Sequence, residues 1–332
     1  MAARPTRAMS AVLAITLPIY LIIALGFCVT KAGYVDASDI RAVGKLVMRV
    51  CMPAMIFLAI SRTPITAVLR PDFALSYLAG SLLVFGGGLL LARHFLNQPR
   101  PVAVLEALGM SASNSAFMGF PVAAMVVGDV ALQAFTMTML VENIVMMPLA
   151  VMLADAQTAG PGQTGNRGLA GTFRFVWRTL SGMGRNPLLL AVVAAVLFSV
   201  SGLALPTPLQ ATLAMLAPVA PPVALLAVGG TVATLAFAPL RGPMLWVVAG
   251  KLVAHPLAVL GCLLLAGQIT SGPMPEGLVL SGVLIASVPM MSIYALFGLR
   301  WGAETLAASA LILATGISFF TVSGMLWFIG QG

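Results

Sequence analysis

Ten apolar runs dominate this chain, each close to the roughly 20 residues that a helix needs to cross a bilayer. They cover Ser10 to Thr30, Arg41 to Ile60, Phe73 to Leu91, Val104 to Val127, Leu132 to Leu153, Leu188 to Leu205, Leu209 to Phe237, Met244 to Ile269, Leu278 to Leu299 and Leu306 to Ile329. Only 8% of the 332 residues are charged and 60% are hydrophobic, too little charge to coat a water-soluble domain of this size. A soluble enzyme and a free nucleic-acid binder are thereby excluded. The expected class is an all-α integral membrane protein, and its first partner is the lipid bilayer.

The net charge of +8 invites a nucleic-acid reading until the basic residues are located. They fall singly in the connections between runs, which is the orientation signal of a membrane protein. Arg4, Arg7, Arg62 and Arg70 lie on one side; Lys31, Arg41, Arg93, Arg100, Arg167, Arg174, Arg178, Arg185, Arg241 and Arg300 lie on the other. The richer side is expected to be cytoplasmic, which puts both termini outside a cytoplasmic (inner) membrane. Lys45 and Arg49 agree, read as snorkelling residues at the cytoplasmic end of the second run. Cys28, Cys51 and Cys262 lie inside apolar runs without metal-ligand spacing, so no metal and no cofactor is expected. The first run reads as a retained helix, because Phe27 is too bulky for a cleavage site and further spans follow.

A helix interior resists proline, which removes a backbone hydrogen bond and clashes with the preceding turn. Proline positions are therefore informative. Pro18, Pro53, Pro71 and Pro121 recur as Pro187, Pro222, Pro239 and Pro289 at offsets of 169, 169, 168 and 168 residues. The chain thus reads as a first five-helix repeat over 1–154, a polar linker over 155–186 and a second five-helix repeat over 187–332. Five is odd, so the second half enters the membrane from the opposite side, and the two halves form an inverted repeat of the kind found in secondary transporters.

The fourth and ninth runs are interrupted at matching places. One reads Ser111-Ala-Ser113-Asn114-Ser115-Ala-Phe-Met-Gly119-Phe-Pro121, the other Ser287-Val-Pro289-Met-Met-Ser292-Ile-Tyr294. Unpaired backbone in hydrocarbon costs several kcal/mol per group, so such breaks persist only where protein or a polar cavity covers them. Two inverted breaks are expected to cross near the midplane and turn freed amides and half-helix N-termini toward an anion. Ser113, Asn114, Gly119, Pro121, Ser287, Pro289, Ser292 and Tyr294 are the candidate substrate-binding residues. Each serine alone also reads as a helix-packing residue, whereas the Asn114 amide has four hydrogen-bonding valences to satisfy.

Charged residues within apolar runs are functional candidates by default. Glu106 is read as a cytoplasmic-edge residue favoured by a helix N-terminus. Glu142, Lys251 and His255 are the coupling or proton-handling candidates, with a Glu142–Lys251 pair expected.

Together these residues resemble the auxin efflux carrier family. The resemblance is carried by the Asn114 to Pro121 break, Ser287-Val-Pro289 followed by Tyr294 and Gly298, Asn186-Pro187, and Gly250-Lys251-Leu with Pro256. That family includes plant PIN-formed auxin transporters and bacterial carriers of malate, malonate and similar carboxylates. The resemblance implies ten helices in two inverted five-helix repeats, with helices 1, 2, 6 and 7 as a scaffold that could supply a homodimer face. Helices 3–5 and 8–10 would form a moving transport domain in which helices 4 and 9 cross, and Asn114, Pro121 and Pro289 would be its transport residues. The plant members' long loop is replaced here by about thirty residues, which speaks against auxin as the substrate.

The function expected is alternating-access carriage of a small organic anion, a carboxylate. A sodium-coupled symporter or sodium/proton antiporter is the alternative, disfavoured because neither broken helix places a carboxylate at the crossing. An intramembrane hydrolase would need a nucleophile such as Ser281 beside His255, and no nucleophile motif accompanies them. A pore or sensor without turnover is the remaining alternative.

Overall fold

The computed structural model describes residues 4–61, 70–155, 186–236, 239, 242–269 and 273–329. Every regular element among them is helical. In chain order they are α1 (Arg4–Lys31), α2 (Ala37–Ile60), α3 (Pro71–Phe95), α4 (Arg100–Val127), α5 (Val130–Asp155), α6 (Pro187–Ser201), α7 (Thr207–Thr234) and α8 (Gly242–Ile269), then α9 in two segments (Glu276–Ser287 and Tyr294–Arg300) and α10 (Glu304–Ile329). Residues 156–185, and with them the expected linker, lie outside the described residues, as do Arg62 and Arg241 from the charge count.

Eight of the described helices are long and apolar enough to cross a membrane; α6 and the first segment of α9 are apolar but shorter. Local chemistry explains both. Asn186 caps α6, its side-chain oxygen accepting from the Leu188 N–H at 3.0 Å, and Pro187 takes the first helical position, where no amide hydrogen is needed. Gly202, left-handed at φ 66°, ends the helix. In α9 the helix stops at Ser287, because Pro289 disfavours helical geometry in the residue before it, and Val288 is extended. In α4 the interruption covers residues 112–114.

The exterior is apolar. Along α1, Leu13, Leu17, Leu21 and Leu25 are exposed at every fourth residue, a stripe suited to lipid. On its other side α1 lies along α7 so closely that a Cβ on Gly26 would collide with the Leu226 carbonyl oxygen, and one on Gly229 with that of Ile23. Small residues of this kind let membrane helices approach backbone to backbone. α6 packs on α2, α3 on α8, and the first segment of α9 on α5 and on the second part of α4. The chain is a multi-pass membrane protein.

Five π-helical stretches lie within this framework: Val47–Cys51 in α2, Leu91–Phe95 in α3, Ser115–Gly119 in α4, Val141–Met146 in α5 and Gly250–Ala254 in α8. Such wider turns insert an extra residue and re-aim the side chains around them, and they are frequent at functional sites. Two of them carry Glu142 and Lys251.

Candidate functional site

The two helix breaks meet. The Asn114 N–H donates to the Pro289 carbonyl at 2.8 Å, and the Asn114 Nδ2 donates to Ser292 Oγ at 3.1 Å. Gly119 sits against Ile285, where a Cβ would be 3.2 Å from the nearest side-chain carbon, so its lack of a side chain lets the second part of α4 lie on α9. Behind the meeting point the break is stitched from α5. Glu142 accepts from the Ser113 N–H at 2.9 Å through one carboxylate oxygen and from Ser115 Oγ at 2.6 Å through the other. The backbone amides of the interruption are thus paired inside protein, as hydrocarbon surroundings demand. Two of the amides expected to face the substrate are occupied instead, that of Ser113 by Glu142 and that of Asn114 by the Pro289 carbonyl.

Lys251 completes the network from α8. Its ammonium has three donors, and three acceptors are in place: Ser113 Oγ at 2.6 Å, His255 Nδ1 at 2.8 Å and the Ala286 carbonyl at 3.0 Å. Accepting from the ammonium at Nδ1 leaves the ring proton of His255 on Nε2, which faces Ser81 Oγ at 3.0 Å. The Tyr77 ring meets the His255 ring edge-on at 5.7 Å, and its hydroxyl lies 3.3 Å from Ser113 Oγ. The expected direct Glu142–Lys251 pair is not formed within 4.0 Å; Ser113 stands between them, giving its hydroxyl oxygen to the lysine and its amide hydrogen to the carboxylate. The carboxylate that neither broken helix supplies at the crossing is delivered by α5.

A cavity of about 310 Å³ lies on the open side of the meeting point, lined by Ser113 to Phe117, Glu142, Asn143, Asn186, Ser292 and Ile293 among others. Of the candidate substrate-binding residues, Ser113, Asn114 and Ser292 line this cavity, and of the coupling candidates Glu142 does. Gly119, Pro121, Ser287 and Pro289 are buried or packed behind it and shape it without lining it. The Ser287 hydroxyl bonds back to the Val283 carbonyl of its own helix at 2.7 Å. Tyr294 is directed elsewhere, its buried hydroxyl close to Gly109 and without a hydrogen-bond partner among the described residues. The Ser281–His255 dyad required by a hydrolase is absent, because Ser281 Oγ donates to the Gly277 carbonyl at 2.7 Å while His255 faces Ser81.

Several participants escaped sequence reasoning. Ser115 stood in the same polar run as Ser113 and Asn114, and Asn186 was visible as an Asn-Pro pair, so both had a signal. Tyr77 and Ser81 had none; in a run of small and aromatic residues they look like ordinary packing. Glu106 was placed at a helix edge, but it is the seventh residue of α4, fully buried, and among the described residues neither carboxylate oxygen has a hydrogen-bond partner.

Residues 11–166 match the family described as membrane transport protein. The chain also aligns over 329 residues, 98% of each sequence, at 26% identity with the protein named "Putative malonate transporter" from Rhizobium meliloti (strain 1021). Both similarities are to membrane transporters: they identify the chain as a transporter rather than an enzyme, and they support its likeness to the auxin efflux carrier family.

Proposed function

We propose that this protein carries a small organic carboxylate across a cytoplasmic membrane by alternating access, with ten spans in two inverted five-helix repeats. The observation that carries the reading is the contact of the two helix breaks at Asn114 and Pro289 beside a polar cavity. The first-turn amides of the second part of α4 lie along that cavity with the Asn114 and Ser292 side chains, which suits an anion. Packing of α1 on α7 and of α6 on α2 is what a two-fold relation between the halves would produce. The name of the Rhizobium relative supports a malonate-like substrate. The cavity opens on the side of Asn186, where the linker attaches; with the linker cytoplasmic and both termini outside, this is an inward-facing arrangement.

The carboxylate at the break favours ion coupling through Glu142 and Lys251 as a second element of the reading. The groups facing this pair are Tyr77 from α3, Ser113 and Ser115 from α4, and His255 from α8. Movement of the pair during the cycle would change the number of donors on Glu142 and so its hold on a proton. Purified protein in proteoliposomes is expected to show counterflow of labelled malonate, and uptake driven by a pH gradient that Glu142→Gln removes. Counterflow absent for every mono- and dicarboxylate sinks the carrier reading. Uptake driven by sodium and indifferent to the pH gradient replaces proton coupling with sodium coupling.

A further inference from the structure

One face of α2 carries a feature that orientation alone does not explain. Arg41, Lys45 and Arg49 follow one another at four-residue spacing and all line a cavity of about 650 Å³ together with Asn186 and Ser292. This cavity shares Met48, Phe117, Asn186, Ser292 and Ile293 with the smaller one at the helix breaks, so the two are continuous. At a rise of 1.5 Å per residue the three cations lie about 6, 12 and 18 Å along the helix from its start at Ala37. The hydrocarbon core is about 30 Å thick, so a residue at the depth of Arg49 is poorly placed to snorkel. Among the described residues no acidic side chain lines the larger cavity, and none of the three cations forms an ion pair. Unneutralised charge descending a water-accessible wall attracts and concentrates anions, the more strongly the higher their charge.

We propose that Arg41, Lys45 and Arg49 form a stepped anion-binding wall that selects dianionic substrates. One carboxylate of a dicarboxylate sits at the Asn114–Ser292 end while the other is held by Arg49. Lys45 and Arg41 receive the dianion on its way in or out. A monocarboxylate of the same length gains only half of this interaction. The inference rests on the carrier reading above and adds to it a source of charge selection, located on the helix opposite the breaks.

The test compares malonate with propionate, the same three-carbon chain with one carboxylate fewer, as substrates of reconstituted protein. Arg49→Gln and Lys45→Gln are each expected to raise KM for malonate about ten-fold and to change KM for propionate by no more than about two-fold. The malonate-to-propionate ratio of kcat/KM then collapses, and the salt dependence of malonate uptake weakens. Arg49→Lys should retain most of the preference, and exposed Arg41→Gln provides a smaller change of the same sign if the deeper variants do not fold. Wild-type protein that transports no mono- or dicarboxylate overturns the carrier reading and this inference with it, and one that transports monocarboxylates but no dicarboxylate overturns this inference alone. Wild-type transport with an unaltered ratio in all three glutamine variants overturns the anion wall alone, as does an equal loss for both acids. Repeating the measurement in phosphatidylcholine vesicles with and without phosphatidylglycerol separates substrate from lipid headgroup: a variant effect seen only with the anionic lipid also overturns the proposal.

Discussion

Glu142 and Glu106 are both glutamates on apolar helices, both buried, and opposite in their surroundings. Glu142 receives a backbone amide and a hydroxyl, with an ammonium beyond Ser113. Among the described residues Glu106 receives no hydrogen bond, and Tyr294 of α9, packed against α4 at Gly109, has a hydroxyl that is equally without a partner. The contrast shows that burial of a carboxylate is not by itself a mark of function. A carboxylate woven into donors from other helices reports on how those helices sit, whereas one with no donors reports only on its own solvation.

The largest effect is expected from cutting the woven one. Glu142→Gln leaves the Lys251 ammonium buried without its balancing charge, which costs about 3 kcal/mol or more of stability and is read as a lower Tm in detergent. Uptake should fall about ten-fold or more, equivalent to one lost charge-assisted hydrogen bond. Next in size is the coupling itself. Adding Lys251→Met to Glu142→Gln should recover about half of the lost stability, since both charges are then gone, and strict additivity in this double-mutant cycle would show the two residues to be independent. Tyr77→Phe removes a hydroxyl from Ser113 and should cost about 1 kcal/mol. The smallest effects belong to the other side of the comparison: Glu106→Gln and Tyr294→Phe remove no partnered atom and should stay within about 0.5 kcal/mol and two-fold in uptake. A Glu106→Gln variant that loses uptake while remaining folded, or that loses a pH response present in the wild type, would break the contrast and make Glu106 a second proton-handling carboxylate.

The helical framework was legible because hydrophobic length is a property of consecutive residues. Apart from the breaks at residues 112–114 and 288–293, the ten apolar runs are helical where they are described, with ends moved by a few residues to caps such as Asn186 and Gly202. The interruptions were legible for a similar reason, since Ser113, Asn114 and Pro289 are out of place in a continuous membrane helix. The membership of the polar network was only half legible. Glu142, Lys251 and His255 stand out as charged or titratable residues in apolar runs, but nothing local indicates that Ser113 would lie between two of them, 29 residues from one and 138 from the other. Lys45 and Arg49 were visible and assigned to orientation alone, because a sequence shows that a basic residue lies near a helix end and not whether a cavity wall lies beside it.

The sequence by itself thus determined the solvent this protein lives in, the helices that cross it and the places where two of them break, all consequences of transferring consecutive side chains and backbone groups out of water. Only the tertiary structure decided which donors reach which acceptors. Whether Glu142 is satisfied and Glu106 is not, and whether three cations face lipid headgroups or a cavity, depends on helices far apart in the chain meeting at distances of about 3 Å, the range over which a hydrogen bond is made or lost.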